Sequence, residues 1–244
     1  MTMRRGIPRG LAVLAAAALA AGTACGGTGR NDRGLSAAAK ATAASSSGPG
    51  ATMAPVADVH KIVLMQADVP ADWTAEPADA GGDDKAVTDA FNTCVGAELV
   101  RDGDTADSPD FTAPDSLTSV SSSAELAPST AALEQDWAVL QGPKLLPCLA
   151  RSFDTMARAD IGDDSVTVSP VQTQRIAYPQ VGDGAMAIRA TTTITGAHKQ
   201  VPLALDFVFI RKGLAEITLY ASGGGQPFPS QLLGELGAVL TSRV

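Results

Sequence analysis

Two histidines, His60 and His198, are the side chains of standard type in this chain that could act as general bases near neutral pH. Neither belongs to a catalytic motif, because the sequence contains no GxSxG elbow, P-loop, strand-linked GxGxxG or HExxH. His60 lies where a linker meets the folded region, and His198 lies in a short connection between two expected strands. We therefore interpret both as solvated histidines and expect the protein not to be an enzyme.

Carboxylates offer a second kind of chemistry. The segment RDGDTADSPD contains Asp102, Asp104, Asp107 and Asp110, whose oxygens are the ligands that Ca²⁺ prefers. It lacks the glycine at position six and the distal glutamate of an EF-hand loop, so we favour a solvated acidic loop over a calcium site. The sequence has only 2 His and 3 Cys, too few ligands for most transition-metal sites. We expect no metal and no cofactor.

Two charged residues, Arg189 and Asp206, fall inside expected strands, where charge is unusual. They could pair across the sheet or line a cleft for a ligand. We favour pairing, and keep both as the candidate ligand-binding residues.

Cys94 and Cys148 lie on the apolar faces of two expected helices. In an exported protein an even pair of this kind indicates a disulfide. It would close a loop of about 55 residues and stabilise the fold by roughly 4 kcal/mol in the chain-entropy treatment. The alternative is two buried thiols that never meet. A CxxC redox site is excluded by the spacing.

The first 24 residues have the three-part layout of a secretory signal peptide: a basic segment with three arginines, the apolar run Leu11–Ala21, and small residues before Cys25. As a helix, Leu11–Ala24 would be about 21 Å long, shorter than a hydrocarbon core of about 30 Å. A cleaved signal peptide is therefore favoured over a transmembrane helix.

Thr23-Ala24-Cys25 resembles the lipobox of bacterial lipoproteins, in which the cysteine becomes the new N-terminus and carries fatty acids such as palmitate. Gly22 departs from that pattern, which usually has Leu, Val or Ile there. The alternative is ordinary signal-peptidase cleavage after Ala20-Ala21-Gly22. The resemblance implies lipidation at Cys25 and anchoring on the outer face of the cytoplasmic membrane, because two acyl chains suffice for stable attachment.

Beyond Cys25 the chain divides into a linker and a folded part. Residues 25–56 are rich in Gly, Ala, Ser and Thr without an aromatic residue, which predicts a flexible tether, with a short alanine helix at 35–44 as the alternative. Residues 57–244 carry the periodicity of one domain. The formal charge of -8 and the sequence pI of about 4.7 argue against nucleic-acid binding.

Within the domain, the apolar period changes from helical to strand-like along the chain. Helices are expected at Asp83–Arg101, at Thr130–Leu140, after Gly142-Pro143 as far as Arg158, and at Ser230–Arg243; strands are expected at Leu117–Leu126, Val166–Arg175, Ala185–Thr195, Val201–Ile210 and Leu214–Tyr220. This order predicts an α+β fold, a single domain with one disulfide, in which an antiparallel sheet of about five strands packs on helices against one face.

The leader, the tether and the segments ADVPADW, FNTCVG, LLPC and DFVFIRKG together resemble the exported, sensor-like lipoproteins of high-GC actinobacteria. That group is similar in layout to the extracellular sensor domain of actinobacterial serine/threonine kinases, which is α+β and disulfide-braced. This chain departs from those domains in having one candidate disulfide rather than two.

The resemblance implies binding of an unidentified ligand in a cleft. The lipobox, the tether, the cysteine pair and the missing catalytic motifs together indicate a non-enzymatic, lipid-anchored, ligand-binding or sensory extracytoplasmic domain whose partner is a small molecule, a lipid or an envelope protein. The alternative is a carrier that holds a lipid or glycolipid in an apolar cavity between sheet and helices.

Overall fold

The computed structural model describes residues 58–77, 85–97, 105–161, 166–196 and 199–244. Within these ranges the chain forms five helices and nine strands. The helices are α1 (Val59–Ile62), α2 (Lys85–Val95), α3 (Thr130–Gln141), α4 (Leu145–Ile161) and α5 (Ser230–Thr241). The strands are β1 (Thr74–Glu76), β2 (Thr105–Asp107), β3 (Asp110–Thr112), β4 (Thr118–Leu126), β5 (Val166–Val168), β6 (Gln172–Ile176), β7 (Gly184–Gly196), β8 (Lys199–Lys212) and β9 (Ala215–Gly224).

The strands form one sheet in the order β1-β3-β4-β9-β8-β7-β5, with β2 also on β4 and β6 also on β7. Each of these pairings is antiparallel. The α+β class and the antiparallel sheet are therefore confirmed, but the expectation of about five strands was wrong. The expected strand Val166–Arg175 is two strands separated at Pro170, which has no N–H for the ladder.

The other additional strands, β1, β2 and β3, have three residues each. Segments this short show no periodicity of their own. β2 and β3 are defined by their pairing with the longer β4, and β1 is defined by its pairing with β3. β2 and β3 include Asp107 and Asp110, so this part of the acidic run belongs to the sheet edge and is not the loop that the sequence indicated.

Apolar side chains cover both faces of the sheet. Because successive side chains of a strand point to opposite faces, Val208 and Ile210 of β8 join one core cluster and Phe207 and Phe209 join the other. The first cluster contains residues of α1 and α5, and the second contains residues of α2, α3 and α4. Helices therefore pack on both faces, and the expectation of a single covered face was wrong. The run DFVFI in β8 is typical of a strand buried on both sides.

The helices bury the faces that their sequences indicate. α3 buries Leu133, Trp137 and Leu140, and it begins after Ser129, whose side chain accepts a hydrogen bond from the Ala132 N–H. In α4 the buried residues are Leu145, Cys148, Leu149, Phe153 and Met156. No helix in the described part of the chain has the length and hydrophobicity needed to cross a bilayer.

The hairpin between β8 and β9 is tighter than its sequence suggested. The expected strands Val201–Ile210 and Leu214–Tyr220 leave Arg211-Lys212-Gly213 as the turn between them. In the structure Lys212 pairs with Ala215, so the turn consists of Gly213 and Leu214. Gly213 has φ +60, which glycine adopts without the steric cost that a Cβ brings. This turn sets the register of the two central strands, and with it the neighbours of every polar side chain on them.

Candidate functional site

Cys94 of α2 and Cys148 of α4 form a disulfide, with 5.7 Å between their Cα atoms. Phe91 and Val95 bury the same face of α2 in the core cluster that contains Cys148. The expected bridge is therefore confirmed, and the alternative of two separate thiols is wrong. The consequence for the fold is that α2 is covalently attached to the long helix α4.

An open groove of about 440 Å³ runs along α2, lined in the described part of the chain by Asp89, Asn92, Thr93, Gly96 and Ala97. The backbone N–H groups of Gly96 and Ala97 both donate to the Asn92 carbonyl, and Gly96 has φ +78, so the groove includes the glycine-capped end of the helix. The carboxylate, amide and hydroxyl groups of this lining can form hydrogen bonds with a polar ligand, but they cannot do so with a lipid chain. This groove is thus not the apolar cavity that a lipid carrier requires.

Arg189 and Asp206 lie directly opposite each other on β7 and β8. The Arg189 Nε and Nη2 atoms donate to the two carboxylate oxygens of Asp206 at 2.6 and 2.7 Å. The hydrogen bonds from Arg189 to Asp206 raise the pKa of the guanidinium, against the opposing effect of desolvation. Pairing across the sheet, the interpretation that we favoured, is what the structure shows. A role of either residue toward a ligand stays a prediction.

A group of carboxylates that the sequence analysis did not single out lies on the opposite face of the sheet. Glu125 of β4 is directly opposite Glu216 of β9, and Asp136 of α3 completes a carboxylate trio whose oxygens lie within 4.8 Å of one another. Asp136 is buried and the two glutamates are half-buried. Oxygens arranged in this way are the ligand type of hard cations. All three side chains have polar or electrostatic interactions of their own, so the arrangement by itself assigns no metal.

Arg211 joins this region to α3. It is in register with Glu216 on β9, its Nη1 atom donates to Glu134 at 2.7 Å, and its guanidinium lies 4.9 Å from the centre of the Trp137 ring. An ion pair and a cation–π contact on neighbouring turns of one helix hold that helix against the sheet. The contacts of Arg211 with Glu134 and Trp137 therefore serve to fix α3 on the sheet.

One signal for the carboxylate trio was present in the sequence. Asp136 lies on the buried face of α3 together with Leu133, Trp137 and Leu140, and a charged residue is unusual at such a position. Glu125 and Glu216 gave no comparable signal, because only the β4–β9 register brings them together.

The remaining candidate residues divide into those that the structure describes and those that it does not. His60 is exposed on α1, and its backbone N–H donates to the Asp58 side chain. Cys25, Asp102, Asp104 and His198 lie outside the described residues. Their expected roles therefore stay predictions.

A scan against protein-family models and a search of curated proteins both found no match to the chain. The fold defines the class of domain: an antiparallel α+β sheet with helices on both faces, braced by one disulfide.

Proposed function

We propose that the protein is an exported, lipid-anchored domain that binds a ligand or an envelope partner at the outer face of the cytoplasmic membrane and catalyses no reaction. The observation that carries the proposal is the disulfide between Cys94 and Cys148. Disulfides persist in oxidising compartments and are rare in the cytosol. The bridge uses two of the 3 cysteines, which leaves the thiol of Cys25, next to the lipobox-like Thr23 and Ala24, for acylation.

The charge of the domain supports a body held away from the lipid surface. Cleavage before Cys25 would remove three arginines and no acid, so the mature chain would carry a formal charge of -11. A body with this charge is repelled by anionic headgroups. Attachment would then depend on the acyl chains, and the tether of residues 25–56 would give the domain roughly 30 Å of reach.

The groove along α2 supports a binding role for a small polar molecule. Asp89, Asn92 and Thr93 bring a carboxylate, an amide and a hydroxyl to one side of the helix. The disulfide attaches this helix to α4. Because the helix is already held in place, it would lose less conformational entropy when a ligand binds in the groove. Hydrogen bonding to an unidentified polar ligand is thus the binding mode that we propose.

The test is the intact mass of the full-length protein expressed in an actinobacterial host and purified from membranes. We expect residues 25–244 plus one diacylglyceryl group, less the two hydrogens lost on forming the bridge. The matched control is Cys25→Ser, which keeps the domain and removes the acceptor thiol. The Cys25→Ser variant should carry no acyl mass and should be absent from the membrane fraction. An unlipidated wild-type chain with the same mass as a peptidase-cleaved product would overturn the anchor.

The same sample distinguishes the two kinds of cargo. Native mass spectrometry of the purified protein reports any molecule that stays bound and is lost on denaturation. A small polar ligand whose retention falls in Asn92→Leu would support the α2 groove. A retained lipid or glycolipid would instead favour the carrier function and overturn the proposed polar ligand.

A further inference from the structure

One edge of the sheet ends in an exposed strand. β1 is the last strand in the sheet order, pairs with β3 among the described residues, and exposes all three of its residues. At the opposite side of the sheet, the side chains of Thr173 and Arg175 on β6 donate hydrogen bonds to the carbonyls of Leu146 and Leu140, so helices α4 and α3 lie against that strand. An exposed strand edge presents backbone N–H and C=O groups with which another polypeptide can pair.

Trp73 holds the beginning of β1 in place. Its ring packs edge-on against Phe228 with 6.1 Å between the ring centres. The backbone N–H of Trp73 donates to the Pro70 carbonyl at 3.0 Å, and the Trp73 carbonyl accepts a hydrogen bond from Gln66 Nε2 at 3.2 Å. A strand that is ordered before binding loses less conformational entropy when a partner docks on it.

The side chains along this edge carry charge of one sign. Asp72 precedes β1 and Glu76 ends it, and both are exposed. Asp107 of β2 is also exposed, on the same edge of β4. β3 places Asp110 directly opposite Glu76, but Asp110 has a polar or electrostatic interaction of its own, so the charge of the edge is attributed to Asp72, Glu76 and Asp107. The sequences of the four strands from β1 to β4 contain no lysine or arginine.

Among the described residues, Lys61 and Arg243 are the basic residues with an ion pair to the segment before β1. Lys61 pairs with Asp58 at 3.3 Å, and Arg243 pairs with Asp68. The edge of β1 therefore presents a negative potential, and a positively charged partner is complementary to it.

We propose that the β1 edge binds a basic, extended segment of a partner polypeptide by strand addition. A strand beside β1 would place a residue opposite Glu76 and so continue the row that runs from Asp110 to Glu76. A lysine or arginine at that position forms a favourable cross-strand pair, whereas an acid there is disfavoured. β1 has only three residues and is followed by Pro77, which has no N–H to donate, so few backbone hydrogen bonds are available to a partner strand. Because these bonds alone bind weakly, the charge of the partner decides which segments bind. This interaction does not depend on lipid anchoring.

The test uses the full chain and a fluorescent peptide of about ten residues that alternates lysine with threonine. Binding is followed by fluorescence anisotropy at low and at physiological ionic strength, and salt should weaken it. Glu76→Lys should weaken binding about fivefold, because it replaces an attraction with a repulsion. The matched control, Glu235→Lys, makes the same charge change on an exposed position of α5 and should alter binding less than about twofold.

Two further probes separate strand addition from charge attraction. A peptide with the same sequence and N-methylated backbone amides keeps its charge but cannot extend the sheet, and spermidine supplies charge without a backbone. No peptide binding, equal binding of the methylated peptide, equal competition by spermidine, or equal effects of Glu76→Lys and Glu235→Lys would each overturn the proposal. Self-association that Glu76→Lys abolishes would assign the edge to a second copy of this chain and would also overturn it.

Discussion

Removing Arg189 should destabilise the protein more than removing its partner Asp206. The two side chains form a bidentate ion pair across β7 and β8, with N–O distances of 2.6 and 2.7 Å. Their exposure differs greatly: the Asp206 side chain is 1% exposed and the Arg189 side chain is 19% exposed. Each single substitution therefore leaves behind a charge in a different environment.

The expected magnitudes follow from that difference. Arg189→Met leaves a carboxylate without solvent and without its partner, which should cost about 3–5 kcal/mol of unfolding free energy. Asp206→Asn keeps a hydrogen-bond acceptor and leaves a guanidinium that reaches water, so it should cost about 1–3 kcal/mol. Replacing both residues, by Met and Leu, removes both desolvation penalties. The double variant should therefore be more stable than Arg189→Met alone.

The assay is urea denaturation followed by tryptophan fluorescence. The matched control is Arg158→Met, which breaks the bidentate pair of Arg158 with Asp154 on the surface of α4. Because that arginine is about half exposed, the control should cost less than about 1 kcal/mol. The reasoning is refuted if Arg189→Met costs no more than Asp206→Asn or Arg158→Met, or if the double variant loses as much stability as the two single variants together.

Three further predictions concern the bridge, a close contact and a turn. Serine at both Cys94 and Cys148 should lower the unfolding free energy by roughly 4 kcal/mol, because the bridge joins residues separated by 54 positions; a loss below about 1 kcal/mol in urea denaturation would contradict this. Burial raises the pKa of Tyr178 to about 12, and a Cβ at residue 237 would lie 1.9 Å from its hydroxyl oxygen. Gly237→Ala should therefore displace the ring and lower that pKa in an alkaline absorbance titration, whereas an unchanged titration would show that the contact relaxes elsewhere. Desolvation opposes the shift, but hydrogen bonds within the β3–β4 turn lower the pKa of Asp115 overall. Its stabilising effect is thus present above the unfolded pKa of about 3.9 and is lost as the pH falls through the lower folded value, so Asp115→Ala should reduce the thermal midpoint at neutral pH and have little effect near pH 2.

Much of the fold could be predicted because it depends on local pattern. The buried residues of α3 and α4 recur at helical spacing, and β7 alternates so that Ala187 and Ile188 join opposite cores. Cys94 and Cys148 lie on helix faces that had to be buried, which is why their pairing could be expected. These features need only the period of the apolar residues.

The short strands could not be predicted in this way. β1, β2 and β3 have three residues each, fewer than a period-two pattern needs to be recognised. β2 and β3 are strands because β4 offers them an edge, and β1 is a strand because β3 in turn offers it one; those edges exist only in the folded sheet. The helix Ser230–Arg243 was predicted, but its place on the second face of the sheet was not, because the apolar period of a helix does not specify the sheet face against which it packs.

The sequence by itself determined which faces of the helices and strands are apolar, the α+β class, and the two domain cysteines available for a bridge. Only the tertiary structure decided which polar side chains meet. Arg189 reaches Asp206, and Glu125 lies beside Glu216, because the register of neighbouring strands places them opposite each other. That register is set by turns and packing along the whole sheet, and a shift of one residue would send every one of these side chains to the other face.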